Sequence, residues 1–387
     1  MQRITLKERP DWRGRVEELG FVFHSDGGPY WTDDVAYGFT IEQIEQIEEA
    51  VGNIESMILS VVADAVNDPE TLDLLAIPRD FHSMVRRSWQ AREKNLFCRY
   101  DLSYDGVSPP KLLEANADTP TSLPEAAVIQ WTWLEEQVAR GQLPGGSDQF
   151  NSLHERLVDA WRRMDVRGTL TLAGVLDMPE DHVNLLYMAD CASQAGIKCH
   201  LMDIDQIGLM SDGRFCDDDD GPIDTLFKLH PWEYLARSSY GPNLIDPNAR
   251  VRVIEPAWKM IVSNKGLLPL LWEAFPYHPN LLGACFETNQ SRSIGWGREP
   301  GQPMVRKPLL SREGANIEIV GKAAATEGPY GTEGHILQQY APLPEYDGRY
   351  PVIGAWTIAG EPAGMGIRES DSLITTNTSR FVPHFMT

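Results

Sequence analysis

From Thr40 onward, apolar residues recur at helical spacing. In "TIEQIEQIEEAVGNIESMILSVVADAVND", Ile41, Ile44, Ile47, Val51, Ile54, Ile58 and Val61 fall on one stripe, which predicts a long amphipathic helix. Thr40, followed three positions later by Gln43, supplies a capping box at its start. A second helix is expected over about 71–94. A third is expected over about 124–141, with Ala127, Val128, Trp131, Leu134 and Val138 as its apolar stripe, and a fourth over about 149–164. The period then shortens. "TLTLAGV" (169–175), "IKCHLMDI" (197–204) and "IDTLFKL" (223–229) read as strands around a helix at 181–196 that ends on Gly196. Strands alternating with helices predict a small parallel sheet. No GxGxxG follows the first of these strands, so the dinucleotide fingerprint is missing.

Beyond Val251 the pattern changes again. "VRVIEPAWKMIVSNKGLLPLLWEAF" predicts a strand and then a helix from about Asn264. "MVRKPLLSREGANIEIV" predicts strand, glycine-bearing loop and strand. "HILQQYAPLP" is a strand stopped by Pro342, and "RYPVIGAWTIAGEPAGMGIRES" is a pair of strands joined by a Gly/Pro turn. There is no internal repeat or low-complexity tract.

Composition narrows the function classes. The 387 residues are enough for two or three lobes, with 42% hydrophobic and 23% charged residues and a net charge of −22. Such acidity repels phosphate backbones and anionic lipid, so nucleic-acid binding is not expected, and no window approaches about 18 uninterrupted apolar residues, so membrane insertion is not expected either. The N-terminal stretch "MQRITLKERPDW" lacks the apolar core of a secretory signal, and a cytoplasmic location is expected. Cys98, Cys191, Cys199, Cys216 and Cys285 are odd in number and contain no CxxC pair, which fits reduced thiols rather than a zinc ribbon or a disulfide scaffold. Cys98 reads as core packing. The run Asp217 to Asp220 reads as a solvated loop.

The stretch that does not read as ordinary strand is "FCRYDLSYDGVSPPKLLEANADTPTS" (97–122). Side chains alternate faces along a strand, so Phe97, Arg99 and Asp101 share one face and Cys98, Tyr100 and Leu102 the other. In the return strand, Leu112, Glu114, Asn116 and Asp118 share a face. A turn at Asp105-Gly106 brings Asp101 opposite Glu114 to within a residue of register, with strands about 4.8 Å apart. Carboxylates and an amide oxygen together suit Mg²⁺, and an arginine beside them suits a transferring phosphoryl group. The competing reading is an exposed hairpin with ordinary salt bridges. Two lysines, Lys265 and Lys307, then bear on the choice. Lys307 precedes the loop "PLLSREG", whose amides suit phosphate, and "ILQQYAP" is similar to segments whose backbone holds an adenine ring. Together these features point to ATP.

"RYD…LLEANADTPTS", "IEPAWKMIVSNKGLLPLLW", "VRKPLLSREGANI", "ILQQYAPLP" and "GIRES" followed by "SRFVPH" occur in an order that resembles the synthetase part of the glutathionylspermidine synthase family. That family belongs to the ATP-grasp ligases. The resemblance covers nearly the whole chain, without the N-terminal amidase domain that some members carry, so the stand-alone form is expected. It implies an α/β (α+β) fold of ATP-grasp type over residues 1–387. Within it, 165–255 would form a small inserted parallel-sheet substrate subdomain and 256–345 a lid region.

The resemblance also implies a chemistry: ADP-forming ligation of a carboxylate to an amine through an acyl phosphate, with a glutathione-like peptide as the acid. Arg99 and Arg368 would be catalytic. Asp101, Glu114 and Asn116 would hold two Mg²⁺ ions. Arg99, Asp101, Lys265, Lys307, Glu313 and Gly314 would face ATP phosphates. Gln338, Gln339, Tyr340 and Ala341, with Leu373, Ile374 and Thr375, would line the adenine site. Thr119, Glu180, Asp181 and Glu233 would meet the substrates. The chain departs from the family pattern at Arg380, where an acidic polyamine contact is expected, at Leu229, where a threonine faces glutathione, and at Val352, a polar position near the nucleotide. The other classes consistent with the residues are a catalytically silent ATP-binding regulatory protein and a metal-dependent hydrolase.

Overall fold

The computed structural model describes residues 1–25, 28–246, 250–287, 303–322 and 324–387. The chain forms a mixed α/β fold built on several sheets. At its centre is an antiparallel sheet in the order β18 (Arg380–Val382), β17 (Glu361–Ser370), β16 (Tyr350–Ile358), β3 (Phe97–Ser103) and β4 (Lys111–Asn116). The helix Ile41–Ala65 packs on β16 and β17. Its buried Ile44, Ile47, Val51, Ile54 and Ile58 share a core with Ile353, Ala355, Met365 and Ile367. Ile41, expected in the stripe, is exposed because it occupies the first turn. The capping box forms as expected, Gln43 N donating to Thr40 Oγ1 at 3.3 Å and Thr40 N to Gln43 Oε1 at 3.1 Å. A second core gathers Trp133, Leu157, Trp161, Phe227 and Trp356.

Two predicted helices differ from expectation. The segment expected at 71–94 is broken into Pro69–Leu74, a 3₁₀ turn at Arg79–Phe81 and His82–Gln90. Pro78 explains the break, since proline removes a donor and pushes the preceding residue out of helical geometry. The segment at 124–141 opens with a π turn, Glu125–Ile129, before the α-helix Gln130–Ala139. That wider turn rotates the helix face. Trp133 is therefore buried while Trp131, expected in the stripe, is exposed.

The parallel sheet is present in the order β10 (Arg252–Ile254), β9 (Thr225–Lys228), β5 (Leu170–Gly174) and β6 (Cys199–Asp203), every neighbouring pair parallel. The helix Pro179–Gln194 covers it. A short ladder pairs β7 (Gly208–Leu209) with β8 (Phe215–Cys216). The Asp217–Asp220 run beside it is a largely exposed turn, as expected. A further antiparallel sheet runs β11 (Ala284–Phe286), β15 (His335–Gln339), β12 (Met304–Pro308), β13 (Glu318–Val320) and β14 (Ala324–Ala325), with the helix Leu267–Ala274 packed on β11 and β15. That helix starts just past Asn264, after a separate turn at Lys259–Val262. Residues 288–302 and 323, inside the expected lid region, lie outside the described residues. The chain's two ends meet in the sheet β1 (Gln2–Thr5), β2 (Val35–Phe39) and β19 (His384–Met386). Among the described residues no helix is long and apolar enough to cross a membrane.

Candidate active site

The hairpin β3–β4 supplies the floor of the site. Its register pairs Arg99 with Asn116 and Asp101 with Glu114, then slips, so that Leu102 faces Leu112. The slip is a bulge at Leu113. It turns Leu112 into the core with Leu102, correcting the expectation that Leu112 shares the Glu114 face. Asp118 also leaves that face. It lies beyond the end of β4 and is buried against Lys228.

Arg99 grips Asp101 with both arms of its guanidinium, Nε to Oδ1 at 2.7 Å and Nη2 to Oδ2 at 3.0 Å. Its Nη1 donates to the Thr121 carbonyl at 2.9 Å, and the group sits 5.9 Å from the Trp356 ring centroid. Asn116 donates to Asp101 Oδ2 at 3.1 Å. Lys265 lies 3.2 Å from Glu114 and donates to the Ser311 carbonyl at 2.9 Å. Lys307, on β12, donates to the Leu113 carbonyl at 2.8 Å.

Burial raises the Asp101 carboxyl above its ordinary range, although Arg99 pulls it down. Burial also works against the Glu114 carboxylate, but Lys265 and Lys307 outweigh it and hold the group down to about 2. Burial lowers Lys307 to about 8, with Glu114 opposing the shift and Lys265 adding to it. Cys98, behind the floor, is buried and pushed up to about 12, so it is an unreactive core thiol.

Above this floor lies a cavity of about 610 Å³. Its walls include Arg99, Asp101, Glu114, Asn116, Thr119, Glu180, Asp181, Glu233, Lys307, Glu313, Gly314, Gln338, Gln339, Tyr340, Ala341, Arg368, Leu373, Ile374 and Thr375. Lys265 reaches it through Glu114. Residues spread from 99 to 375 along the chain thus converge on one space.

One end of the cavity is apolar: Ile317, Ile319 and Ile374 form a small cluster edged by Val305, Tyr340 and Leu373. The Gln338 side chain donates to the Leu112 carbonyl at 3.0 Å. Above the floor, Arg368 donates to the carbonyls of Asn377 at 3.0 Å and Ser379 at 2.9 Å, and lies 5.0 Å from the Tyr30 ring centroid. Glu180 and Asp181, also in the cavity wall, occupy the first turn of the helix Pro179–Gln194. Burial and the neighbouring Glu180 push Asp181 up to about 6.

Of the positions where the family pattern fails, Leu229 and Val352 line the cavity, whereas Arg380 is not among the lining residues. Arg380 closes its fork on Asp371 at 2.8 and 3.1 Å. Among the described residues no group of three or more His, Cys, Asp or Glu side chains is placed to hold a metal ion. The floor supplies two carboxylates and one amide.

Sequence reasoning passed over several residues. Arg312 donates to Thr119 Oγ1 at 2.7 Å and lies 3.6 Å from Glu233. Its position next to Glu313-Gly314 was the available signal. Lys228 stands alone in the apolar run "TLFKL", and such a break in pattern marks a partnered charge. Tyr30 donates to the buried Glu125 at 2.7 Å behind Arg368, with no sequence signal. Ser311 Oγ, Arg312 Nε and Thr375 Oγ1 are buried in the cavity wall without hydrogen-bond partners among the described residues, a feature expected where a ligand completes a site.

Comparisons with known proteins bear on the family. The family model described as glutathionylspermidine synthase preATP-grasp matches residues 3–387. A Haemophilus influenzae protein named "Putative acid--amine ligase" is 38% identical, covering 100% of this chain and 99% of its own length. The trypanothione synthetase of Crithidia fasciculata and the bifunctional glutathionylspermidine synthetase/amidase of Escherichia coli are each 26% identical; the chain spans only 57% and 63% of their lengths. Among solved structures, a glutathione synthetase-like effector of Globodera pallida in its apo form aligns with a TM-score of 0.57 at 11% identity, covering 90% of this chain and 89% of its own, a likeness of fold alone. The chain belongs to the glutathionylspermidine synthase preATP-grasp family.

Proposed function

We propose that the chain is an ATP-dependent, ADP-forming ligase of ATP-grasp type that joins a carboxylate to an amine through an acyl phosphate. One observation carries the reading: a single cavity joins a floor of alternating cations and carboxylates to an apolar slot. The full-length relative named as an acid–amine ligase supports it. The adenine ring would lie in the slot of Ile317, Ile319, Tyr340 and Ile374, edged by the 338–341 segment. The phosphates would extend toward Lys265, Lys307 and Arg99, beneath the Glu313-Gly314 loop.

The donor set fits Mg²⁺. Asp101 and Glu114 face each other in register with Asn116 alongside, giving the hard oxygen ligands this ion prefers. These residues would hold it, and it would supply charge neutralisation between β- and γ-phosphates. Arg99 and Lys265, which engage the two carboxylates, would shift their hold to phosphate oxygens.

The chain's residues then have defined tasks. A substrate carboxylate oxygen attacks the γ-phosphorus, the bond to the β-phosphate oxygen breaks, and ADP leaves. Arg99 and Arg368 stabilise charge on the transferring group. The amine next attacks the acyl carbon, the acyl–oxygen bond breaks with phosphate leaving, and the nitrogen loses a proton. Closure of the cavity around the bound substrates would keep water from the acyl phosphate.

Thr119, Glu180, Asp181 and Glu233 would orient the acid and the amine, with a glutathione-like peptide as the first acid to try. Arg380 stands where the family pattern has an acidic polyamine contact and pairs with Asp371, so an amine other than a polyamine would be the first to try. The test supplies Mg²⁺-ATP with pools of peptides, acids and amines and follows ADP, phosphate and product mass. ADP release that needs both an acid and an amine is expected. ATP binding without turnover in every pool would indicate a silent ATP-binding protein, and substrate cleavage without ATP a hydrolase.

A further inference from the structure

Asp118 and Lys228 form a deeply buried ion pair, with side-chain exposures of 1% and 0%. Burial drives the Lys228 ammonium down while Asp118 draws it back up. A pair this deep is weak evidence for stability, because apolar replacements often serve a fold as well. Its geometry gives it another use. Asp118 meets Lys228, the last residue of β9, through Oδ1, and accepts from the Trp232 N–H through Oδ2 at 2.8 Å. The ammonium also lies 4.8 Å from the Trp232 ring centroid. One carboxylate therefore ties the end of β4 to the parallel sheet and to the start of the helix Trp232–Arg237.

The residue that follows each tied position lines the cavity. Thr119 follows Asp118, and Glu233 follows Trp232. These two residues meet the same partner, Arg312, through Nη1 at 2.7 Å and Nη2 at 3.6 Å. Arg312 retains a buried Nε–H with no hydrogen-bond partner among the described residues, so the arrangement leaves one donor for a bound group.

We propose that Asp118 and Lys228 are positioning residues: the pair sets Thr119 and Glu233 at the separation that holds Arg312, and so shapes the acid-substrate side of the cavity. The kinetic consequence rests on the ligase reading, and the structural consequence does not.

Asp118→Asn leaves Lys228 uncompensated and risks misfolding, so the decisive variant is the double change Asp118→Asn/Lys228→Met, which removes both charges. Its thermal midpoint is expected to lie near that of the wild type. Its KM for the acid is expected to rise roughly ten- to hundredfold, the scale of an ångström-sized misplacement, with KM for ATP unchanged. A structural brace alone would leave the acid KM at the wild-type value once stability is restored, and that result overturns the proposal. Hydrogen exchange on the unliganded double variant needs no turnover. Loss of protection at both 119–122 and 311–314 is expected, and loss confined to 118–122 overturns the proposal. If the wild type shows no acid- and amine-dependent ADP release, the ligase reading fails while the exchange result still decides the positioning role.

Discussion

Gly354→Ala probes the floor of the cavity without replacing a charged group. Gly354 sits on β16 opposite Asp101, and a Cβ there would lie 3.0 Å from Arg99 Cδ and 3.4 Å from its Cγ and Nε. Carbon atoms settle about 3.5–4.0 Å apart, so Arg99 must retreat by roughly 0.5 Å. It has little room to do so, being held at its far end by Asp101 and the Thr121 carbonyl. Misplacing a reacting group by about 1 Å costs about a hundredfold. Half that displacement predicts a loss of about tenfold in kcat. Replacing a strand glycine offsets part of the crowding, by about 0.5–1 kcal/mol, so the thermal midpoint should move by only a few degrees. The assay is steady-state ADP release alongside a thermal melt. A variant as active as the wild type would show that the guanidinium position does not matter, and a loss that merely tracks unfolding would equally defeat the reasoning.

Three further outcomes follow from the same geometry. Gly314→Ala should weaken nucleotide binding by tenfold or more on the scale of ~1.4 kcal/mol per decade, because Gly314 has φ 70° and its Cβ would strike the Thr375 carbonyl; unchanged affinity by calorimetry would dissociate that loop from the nucleotide. Glu114→Gln and Asn116→Ala should each raise the Mg²⁺ concentration needed for half-maximal turnover, and a titration matching the wild type would remove them from the metal site. Glu125, raised from 4.5 to about 7 chiefly by burial and then by Glu180, keeps its proton when folded and loses it when unfolded between those pH values. Native stability therefore falls as pH rises through that window, and Glu125→Gln should gain on the wild type by ~3 kcal/mol across it; parallel melting curves from pH 4.5 to 8 would contradict this.

Much of the scaffold was legible because periodicity reports burial directly. The Ile41–Ala65 helix and the parallel strands follow from spacing alone. The floor was legible because Arg99, Asp101, Glu114 and Asn116 interrupt strands that otherwise read as apolar. What stayed hidden depends on local backbone irregularity or on distant partners. The bulge at Leu113 reversed the face of Leu112, and the π turn at Glu125 exchanged Trp131 for Trp133. Neither leaves a periodic trace. Asp118 and Lys228 are 110 positions apart, and nothing near either residue names the other. The convergence of 313–314, 338–341 and 373–375 on one cavity came from motif resemblance, since spacing alone cannot bring together segments from different sheets.

On this mechanism a substrate carboxylate takes a phosphoryl group from ATP before the amine attacks. The direct measurement uses the acid identified in the ligation screen, labelled with ¹⁸O in its carboxylate, and mass analysis of the released phosphate. Transfer of one labelled oxygen to phosphate for each bond formed is predicted. Phosphate that carries no label while the amide product accumulates would contradict the account.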